Sequence, residues 1–390
     1  MKTFFVVVVL LSNFNSAFGS NEKLIAEMIS KVNKSEIEQV ISELSGEKEV
    51  LGGKYILSRQ IGHPGNGLAA KYLVDSYEKI PGLKAGIHKF NPRLLAKITG
   101  TMIKGLYISK MNSEEKKMAL AIIKETKDFA TKYKDSNWDN IYSIHKGETK
   151  EHVILASHYD SVVRRDSAVH KNPKKGINRD IEPVRIGSLS PGADDNASGV
   201  AATIIAARIL SKYRFKYSIM FLNLNAEELG LVGSTAFAMK ELIKFGKIKS
   251  VINADMIGHD ANGDGVMTIS SGEKEEGLKD IATISHKSLK KEAGYNLNPT
   301  YVSIEQDLDE PHGPFIASDH LSFYNMGVKR AIMFGEGVYD HGPKLNLTQM
   351  NPAYHSVDDD VTNLNFDYIN NIVKLIVSTV AREAVVLGRK

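Results

Sequence analysis

His152-Val-Ile-Leu-Ala-Ser-His158-Tyr159-Asp160-Ser161 decides the reading of this chain. The run from His152 to Ala156 is apolar-rich, too short for a helix, and runs directly into a histidine and an aspartate. Such a segment reads as a buried strand that delivers polar side chains at its end, where open α/β sheets place their ligands. Upstream, Asn140 to Ile144 is a second apolar run, and Lys-Gly-Glu-Thr between the two reads as a turn joining a strand pair.

Working outward, helix and strand patterns alternate. Gly67 to Lys79 reads as a helix. Ala197 to Tyr213 is an alanine- and isoleucine-rich helix, followed by a strand at Tyr217 to Leu224. Leu229 to Phe245 is the next helix, Val251 to Ala254 and Lys329 to Phe334 are further strands, and Phe366 to Leu387 is a closing amphipathic helix. This alternation predicts an α/β fold whose sheet is covered by helices on both faces. Ahead of it, Leu24, Ile25, Met28, Ile29 and Val32, then Ile37, Val40, Ile41 and Leu44, recur with helical spacing, so two N-terminal helices are expected. Ser35 with Glu38 forms a capping box for the second, and Gly46 lies where it should stop.

With 390 residues, 42% hydrophobic and 25% charged, the chain has the composition of an ordinary globular protein. Its length allows one large domain or two medium ones. Lys2, the apolar run Phe4 to Leu11 and the small residues ending in Gly19 read as a signal peptide. The run is shorter than the ~20 residues that span a bilayer, so an exported product, periplasmic or secreted, with no stable membrane association is expected. Cysteine is absent, so a metal would be held by histidine and carboxylates. Removing Lys2 takes the formal net charge from +4 to +3, too small a bias to indicate nucleic acid.

Four more polar stretches interrupt the alternation: Pro191-Gly-Ala-Asp194-Asp195-Asn196-Ala-Ser-Gly199, Asn225-Ala-Glu227-Glu228-Leu-Gly230, Asn253-Ala-Asp255-Met-Ile-Gly258 and Ala353-Tyr354-His355-Ser-Val-Asp358-Asp359. His158 offers a neutral nitrogen ligand suited to zinc, and Asp160 can accept its other ring N–H. One carboxylate of Asp194-Asp195 can bridge two ions, or the pair can form an Asx turn and helix cap. Adjacent acids at Glu227-Glu228 repel each other in a half-buried site, a conflict resolved if one ligates a metal while the other serves as general base; as a solvated pair they would instead start a helix and favour its dipole. Asp255 and His355 complete a pool that would give each of two zinc ions three protein ligands.

From about Gln60 to the C-terminus these motifs resemble the double-zinc leucyl aminopeptidase family, which includes glutamate carboxypeptidase, carboxypeptidase Q and the glutaminyl cyclases. The resemblance implies the zinc exopeptidase fold, a three-layer α/β/α sandwich with a mixed, mostly parallel twisted sheet. It implies two Zn2+ per chain, one held by His158, Asp194 and Asp255, the other by Asp194, Glu228 and His355, with Asp194 as the bridge. By the same resemblance Glu227 is the general base, Asp160 partners His158, Asp195 shapes the turn, and Tyr354 hydrogen-bonds the tetrahedral oxyanion. Ser318-Asp319-His320, followed by Phe323, resembles a supporting signature near the site.

The expected organisation is a signal peptide over 1–19, a helical segment over 20–59 and a catalytic domain over 60–390. That domain carries a lysine-rich helical insertion at about 93–134 and a basic loop at about 161–190, which includes Arg164 and Arg165. Asp260-Ala-Asn262-Gly-Asp264-Gly265 matches half of a calcium loop, yet Ser271 stands where the closing glutamate belongs, so a tight turn is expected. The resemblance implies an exopeptidase, foremost an aminopeptidase taking peptides with a free N-terminus. Its rivals are a carboxypeptidase or dipeptidase on the same centre, a single-zinc glutaminyl cyclase, and a binding ectodomain without catalysis; the oligomeric state is not readable.

Overall fold

The computed structural model describes residues 21–92, 113–164, 189–244, 248–304, 317–339 and 349–390. The expected signal peptide, residues 93–112 of the insertion and residues 165–188 of the basic loop lie outside the described residues.

Eight strands form one mixed sheet: β1 (Ala85–Lys89), β2 (Asp139–His145), β3 (His152–His158), β5 (Ser218–Leu224), β6 (Ile248–Ala254), β7 (Val266–Ser271), β8 (Asn298–Ser303) and β9 (Ala331–Glu336). Their order is β1-β2-β5-β3-β6-β9-β7-β8. The central run β5-β3-β6-β9 is parallel, as is β7 with β8, whereas β1 and β2 and the β7–β9 pair are antiparallel. The strand pair expected between Asn140–Ile144 and His152–Ala156 does not form: β5 is inserted between β2 and β3, antiparallel to the first and parallel to the second. The reason is burial. All seven residues of β3 are buried, and such a strand is satisfied only at the centre of a sheet covered on both sides.

The two faces are sorted by the period of two along each strand. Val153, Leu155, Ile219 and Phe221 point into the larger core, shared with α3 (Pro64–Glu78), α5 (Gly199–Leu210) and α9 (Phe366–Glu383). Ile154, Ala156, Met220, Leu222 and Leu224 face the other way, onto Phe237 of α6 (Val232–Lys244) and Phe323 of α8 (His320–Asn325). The architecture is therefore an α/β/α sandwich. Among the described residues no helix is long and apolar enough to cross a membrane.

The N-terminal helices, α1 (21–29) and α2 (Lys34–Leu44), bury Ile25, Met28, Ile37, Val40, Ile41 and Leu44 in the larger core. The cap of α2 differs from expectation: Asn33, not Ser35, is the N-cap, its side chain accepting the Ser35 N–H at 2.8 Å. Gly46 follows the helix with φ +83°, the conformation a C-terminal stop requires. Helix α4 (Ser113–Lys132) represents the insertion, and α7 (Leu278–Leu289) covers the sheet beside α9. A small second sheet joins β4 (Tyr213–Phe215) to β10 (Val386–Arg389). Residues 260–265, the calcium-like stretch, form a turn between β6 and β7, with the Gly265 N–H donating to Asp260 Oδ1 at 3.3 Å.

Candidate metal centre

Three adjacent parallel strands end at the site. β3 finishes on His158, β5 at Leu224 just before Glu227-Glu228, and β6 at Ala254 just before Asp255. The remaining groups come from the turn ahead of α5 and the loop ahead of α9. Ala226, Leu231, Met256 and His355 all adopt positive φ, between 51° and 64°. Each such non-glycine conformation costs roughly 1–3 kcal/mol and persists only where surrounding contacts enforce it. The strain is concentrated in the loops that aim the site side chains.

His158 Nδ1 lies 3.1 Å from the backbone carbonyl oxygen of Asp160 and 3.6 Å from its carboxylate. A carbonyl oxygen only accepts, so Nδ1 carries the proton and, in the neutral ring, Nε2 keeps its lone pair for a metal. The expected partnership of His158 with Asp160 is thus made mainly by the backbone. The Asp160 carboxylate does something else: its two oxygens accept the N–H groups of Glu227 at 3.2 Å and Glu228 at 3.3 Å. It ties the end of β3 to the two-glutamate turn.

The bridging position is where the structure departs most from expectation. Asp195, not Asp194, stands between the two histidines, with Oδ1 at 3.2 Å from His158 Nε2 and Oδ2 at 3.1 Å from His355 Nε2. Asp194 is fully buried elsewhere, its Oδ1 accepting the Gly258 N–H at 2.7 Å and its Oδ2 accepting from Asn351 Nδ2 at 3.0 Å. The backbone sets this choice. Asp359 accepts the N–H of Asp194 through Oδ1 at 3.1 Å and that of Asp195 through Oδ2 at 3.0 Å, and the helical course of the turn is broken at Asp195 (φ −106°, ψ 88°) and Asn196 (φ −135°, ψ 49°). The Asp195–Asn196 peptide bond is cis.

Two constellations result. His158 Nε2 faces Asp255 Oδ1 at 3.1 Å as well as Asp195 Oδ1, and His355 Nε2 faces Glu228 Oε2 at 2.9 Å as well as Asp195 Oδ2. An imidazole N–H satisfies one acceptor, whereas each Nε2 here meets two carboxylate oxygens, an arrangement suited to a cation between them. Ligand atoms of His158, Asp195 and Glu228 all lie within 4.8 Å of one another. Among the described residues the buried Glu228 Oε1 has no hydrogen-bond partner. Nitrogen and carboxylate donors, crowded and incompletely satisfied, fit zinc.

The electrostatics follow from this crowding. Burial disfavours a charged His158, but the charge of Asp255 and hydrogen bonds to Asp160, Asp195 and Asp255 hold its pKa well above the usual value. Burial opposes ionisation of Asp195 too, yet hydrogen bonds from His158 and His355 lower its pKa. Burial and then the charge of Asp195 push Glu228 up to about 8. Glu227 is driven well above the carboxylate range by burial, with His158 opposing and Glu228, Asp255 and Asp319 adding to the rise.

Ser318 Oγ donates to Asp255 Oδ2 at 2.5 Å and accepts from Asn253 Nδ2 at 2.8 Å, so the expected supporting stretch does orient an acid of the site. Burial lifts the neighbouring Asp319 to about 7. His320 is fully buried and, among the described residues, neither ring nitrogen is hydrogen-bonded. The Tyr354 ring stacks on His355, centroids 3.6 Å apart and planes inclined at 23°.

The sequence pattern of peptidase family M28 matches residues 140–380. The chain belongs to peptidase family M28. That span contains His158, Asp195, Glu227, Glu228, Asp255 and His355. The "Probable leucine aminopeptidase" of Trichophyton verrucosum is 25% identical over 260 residues, 64% of this chain and 56% of that protein. The chain thus spans about half the length of the curated relatives it matches. Among solved structures, the LapA aminopeptidase of Legionella pneumophila superposes with TM-score 0.60 at 16% identity, covering 93% of this chain and 75% of that one. Glutaminyl cyclase of Bacteroides thetaiotaomicron, bound to N-acetylhistamine, gives 0.59 at 16%, covering 90% and 97%. Both likenesses show that this chain shares their α/β fold.

Several working residues escaped sequence reasoning. Arg164, counted with the basic loop, is buried at the site: its N–H donates to the His355 carbonyl at 3.0 Å and Nη2 to the Glu228 carbonyl at 3.4 Å. Asp359 lies inside a stretch singled out for His355 but was given no role. Its signal was present: it is the middle of three consecutive acids, Asp358-Asp359-Asp360, in a loop that already held one metal candidate. Asn351 and Glu336 had no such signal; Asn351 donates to Asp194 and Asp359 and its N–H to Glu336 Oε1.

Proposed function

We propose that this chain is an exported zinc aminopeptidase with two metal positions, one held by His158, Asp255 and Asp195, the other by His355, Glu228 and Asp195. The observation that carries the reading is the Asp195 carboxylate, which presents a separate oxygen to each of two histidine–acid pairs. Bound there, zinc supplies Lewis-acid polarisation of a substrate carbonyl and lowers the pKa of a water.

The chain's own residues do the remainder. Glu227 is the general base and later the acid. Its burial among other acids raises its proton affinity well above that of an ordinary carboxylate, which suits a group that takes a proton and returns it to the leaving amine. The Asp160 carboxylate fixes the backbone of Glu227 and Glu228, Ser318 orients Asp255, and Tyr354, stacked on His355, donates toward the oxyanion. Acids at Glu227 and Asp255 hold a substrate ammonium, favouring peptides with a free N-terminus. Two complete donor sets support this reading over a single-zinc cyclase, for which one set is enough.

Export rests on Lys2, the apolar run Phe4 to Leu11 and the small residues before Ser20, with cleavage after Gly19 leaving 20–59 as a helical segment ahead of the catalytic part. The test is a peptide panel run on the purified protein. Peptides with free N-termini should be shortened from that end, activity should vanish with a chelator and return with zinc, and N-acetylated peptides should be inert. Release of C-terminal residues from N-acetylated peptides, or cyclisation of N-terminal glutamine without hydrolysis, would replace the reading with a rival.

A further inference from the structure

Arg59 lies outside the span that matches the family and outside every motif discussed so far, yet its side chain is fully buried. Its guanidinium donates to four backbone carbonyls. Nε reaches Tyr159 at 2.8 Å, Nη1 reaches Leu44 at 2.7 Å and Pro191 at 2.5 Å, and Nη2 reaches Gly192 at 2.7 Å. These carbonyls belong to three separate segments: the end of α2, the residue between His158 and Asp160, and the turn that leads into Asp195. The Arg59 N–H also donates to Ser161 Oγ, at 3.1 Å.

Two features set this apart from a buried arginine that merely fills space. Among the described residues none of its side-chain hydrogen bonds is to a carboxylate; its charge is balanced at longer range by Asp359, Asp195, Asp160 and Glu228. A buried charge is expensive, and apolar packing of similar volume would usually serve stability as well or better. The fit is also tight. Gly192 has φ +54°, and a Cβ there would come within 2.8 Å of Arg59 Nη2 and 2.4 Å of the Asp195 carbonyl oxygen. The planar fork of an arginine can hold several fixed acceptors at once, which a lysine ammonium on a flexible stem cannot.

We infer that Arg59 is a positioning residue of the metal centre, fixing the separation between the β3 end that carries His158 and the turn that carries Asp195, so that the segment before the family-matched span is needed for tight metal binding. This rests on the two-zinc reading. Arg59 touches no ligand side chain; it acts through the backbone of both loops, and bringing His158 and Asp195 to a common ion is what those loops must do.

The test uses the full chain, prepared metal-free, with zinc affinity measured by competition against a chelator. Arg59→Lys keeps the charge and loses the fork, and Arg59→Met loses both. Arg59→Lys should fold, with an unchanged circular dichroism spectrum and a cooperative melt, while binding zinc at least ten-fold more weakly; Arg59→Met should be weaker still. A folded Arg59→Lys protein that binds two zinc ions with wild-type affinity overturns the inference. Should neither variant fold, hydrogen exchange on the wild-type chain decides. Site coupling is reciprocal, so zinc should slow exchange at residues 56–61, none of which is a ligand; protection confined to the ligand motifs overturns the inference. A wild-type chain that binds fewer than two ions contradicts the zinc reading itself and removes the inference with it.

Discussion

The carboxylates of Asp194 and Asp195, one residue apart, serve different partners: Asp195 meets His158 and His355, and Asp194 meets the Gly258 N–H and Asn351. Exchanging the two roles is not possible without turning the backbone that Asp359 holds at both amides. Asp195→Asn should therefore abolish binding of at least one of the two ions. Asp194→Asn should keep both and lose about 1–3 kcal/mol of stability, the cost of a buried donor left unpaired. Zinc content by mass spectrometry and chemical unfolding of the two variants check this; equal metal loss in both would contradict it.

In the proposed mechanism Glu227 contributes a proton-transfer group and no ligand atom. Glu227→Gln should retain two zinc ions and lower kcat by roughly 10²–10⁴-fold. Loss of metal from this variant would move Glu227 into the ligand set.

Asp160 acts on both ligating loops, through its carbonyl on His158 and its carboxylate on the Glu227 and Glu228 amides. Asp160→Asn replaces one acceptor oxygen with a donor that faces an N–H. Zinc affinity should fall by about 10–100-fold, the usual effect of losing a group that orients ligands. Chelator competition reads it directly, and an unchanged affinity would show that the turn is held without Asp160.

Without metal, the protein should lose stability as pH rises from about 6.5 to 8. In that window the unfolded chain has its carboxyls ionised and its histidines neutral, while folded Glu228 holds its proton up to about 8 and Asp319 up to about 7, and folded His158 stays protonated above its usual value. The folded state binds more protons, so stability falls with pH. Buried His145, His152, His286 and His320 have lowered pKa values and work in the opposite sense only below about 6.5. Zinc displaces the same protons, so the gain in melting temperature on loading should grow across the window. A melting temperature of the metal-free protein that is flat or rising from pH 6.5 to 8 would contradict the assignment.

Much of this was legible in the sequence because strand ends announce themselves. His158, Glu227-Glu228 and Asp255 each follow an apolar run, and the helices around them show clear periodicity. Pairing was not legible, because β2 finds β5 and not its neighbour β3 for reasons of burial across the whole sheet. The choice between Asp194 and Asp195 was illegible for a similar reason. Adjacent acids differ only in the dihedrals imposed on them, and here those are imposed by Asp359, more than 160 residues downstream. Arg59 was hidden because its partners are carbonyl oxygens, which every residue possesses and no motif records.

The central claim is that Asp195 bridges two metal ions. Anomalous diffraction at the zinc edge, on crystals of the zinc-loaded protein, tests it most directly. Two peaks are expected, each at about 2.0–2.2 Å from a different oxygen of Asp195, one beside His158 and Asp255 and the other beside His355 and Glu228. A single peak, or two peaks bridged by Asp194, would contradict it.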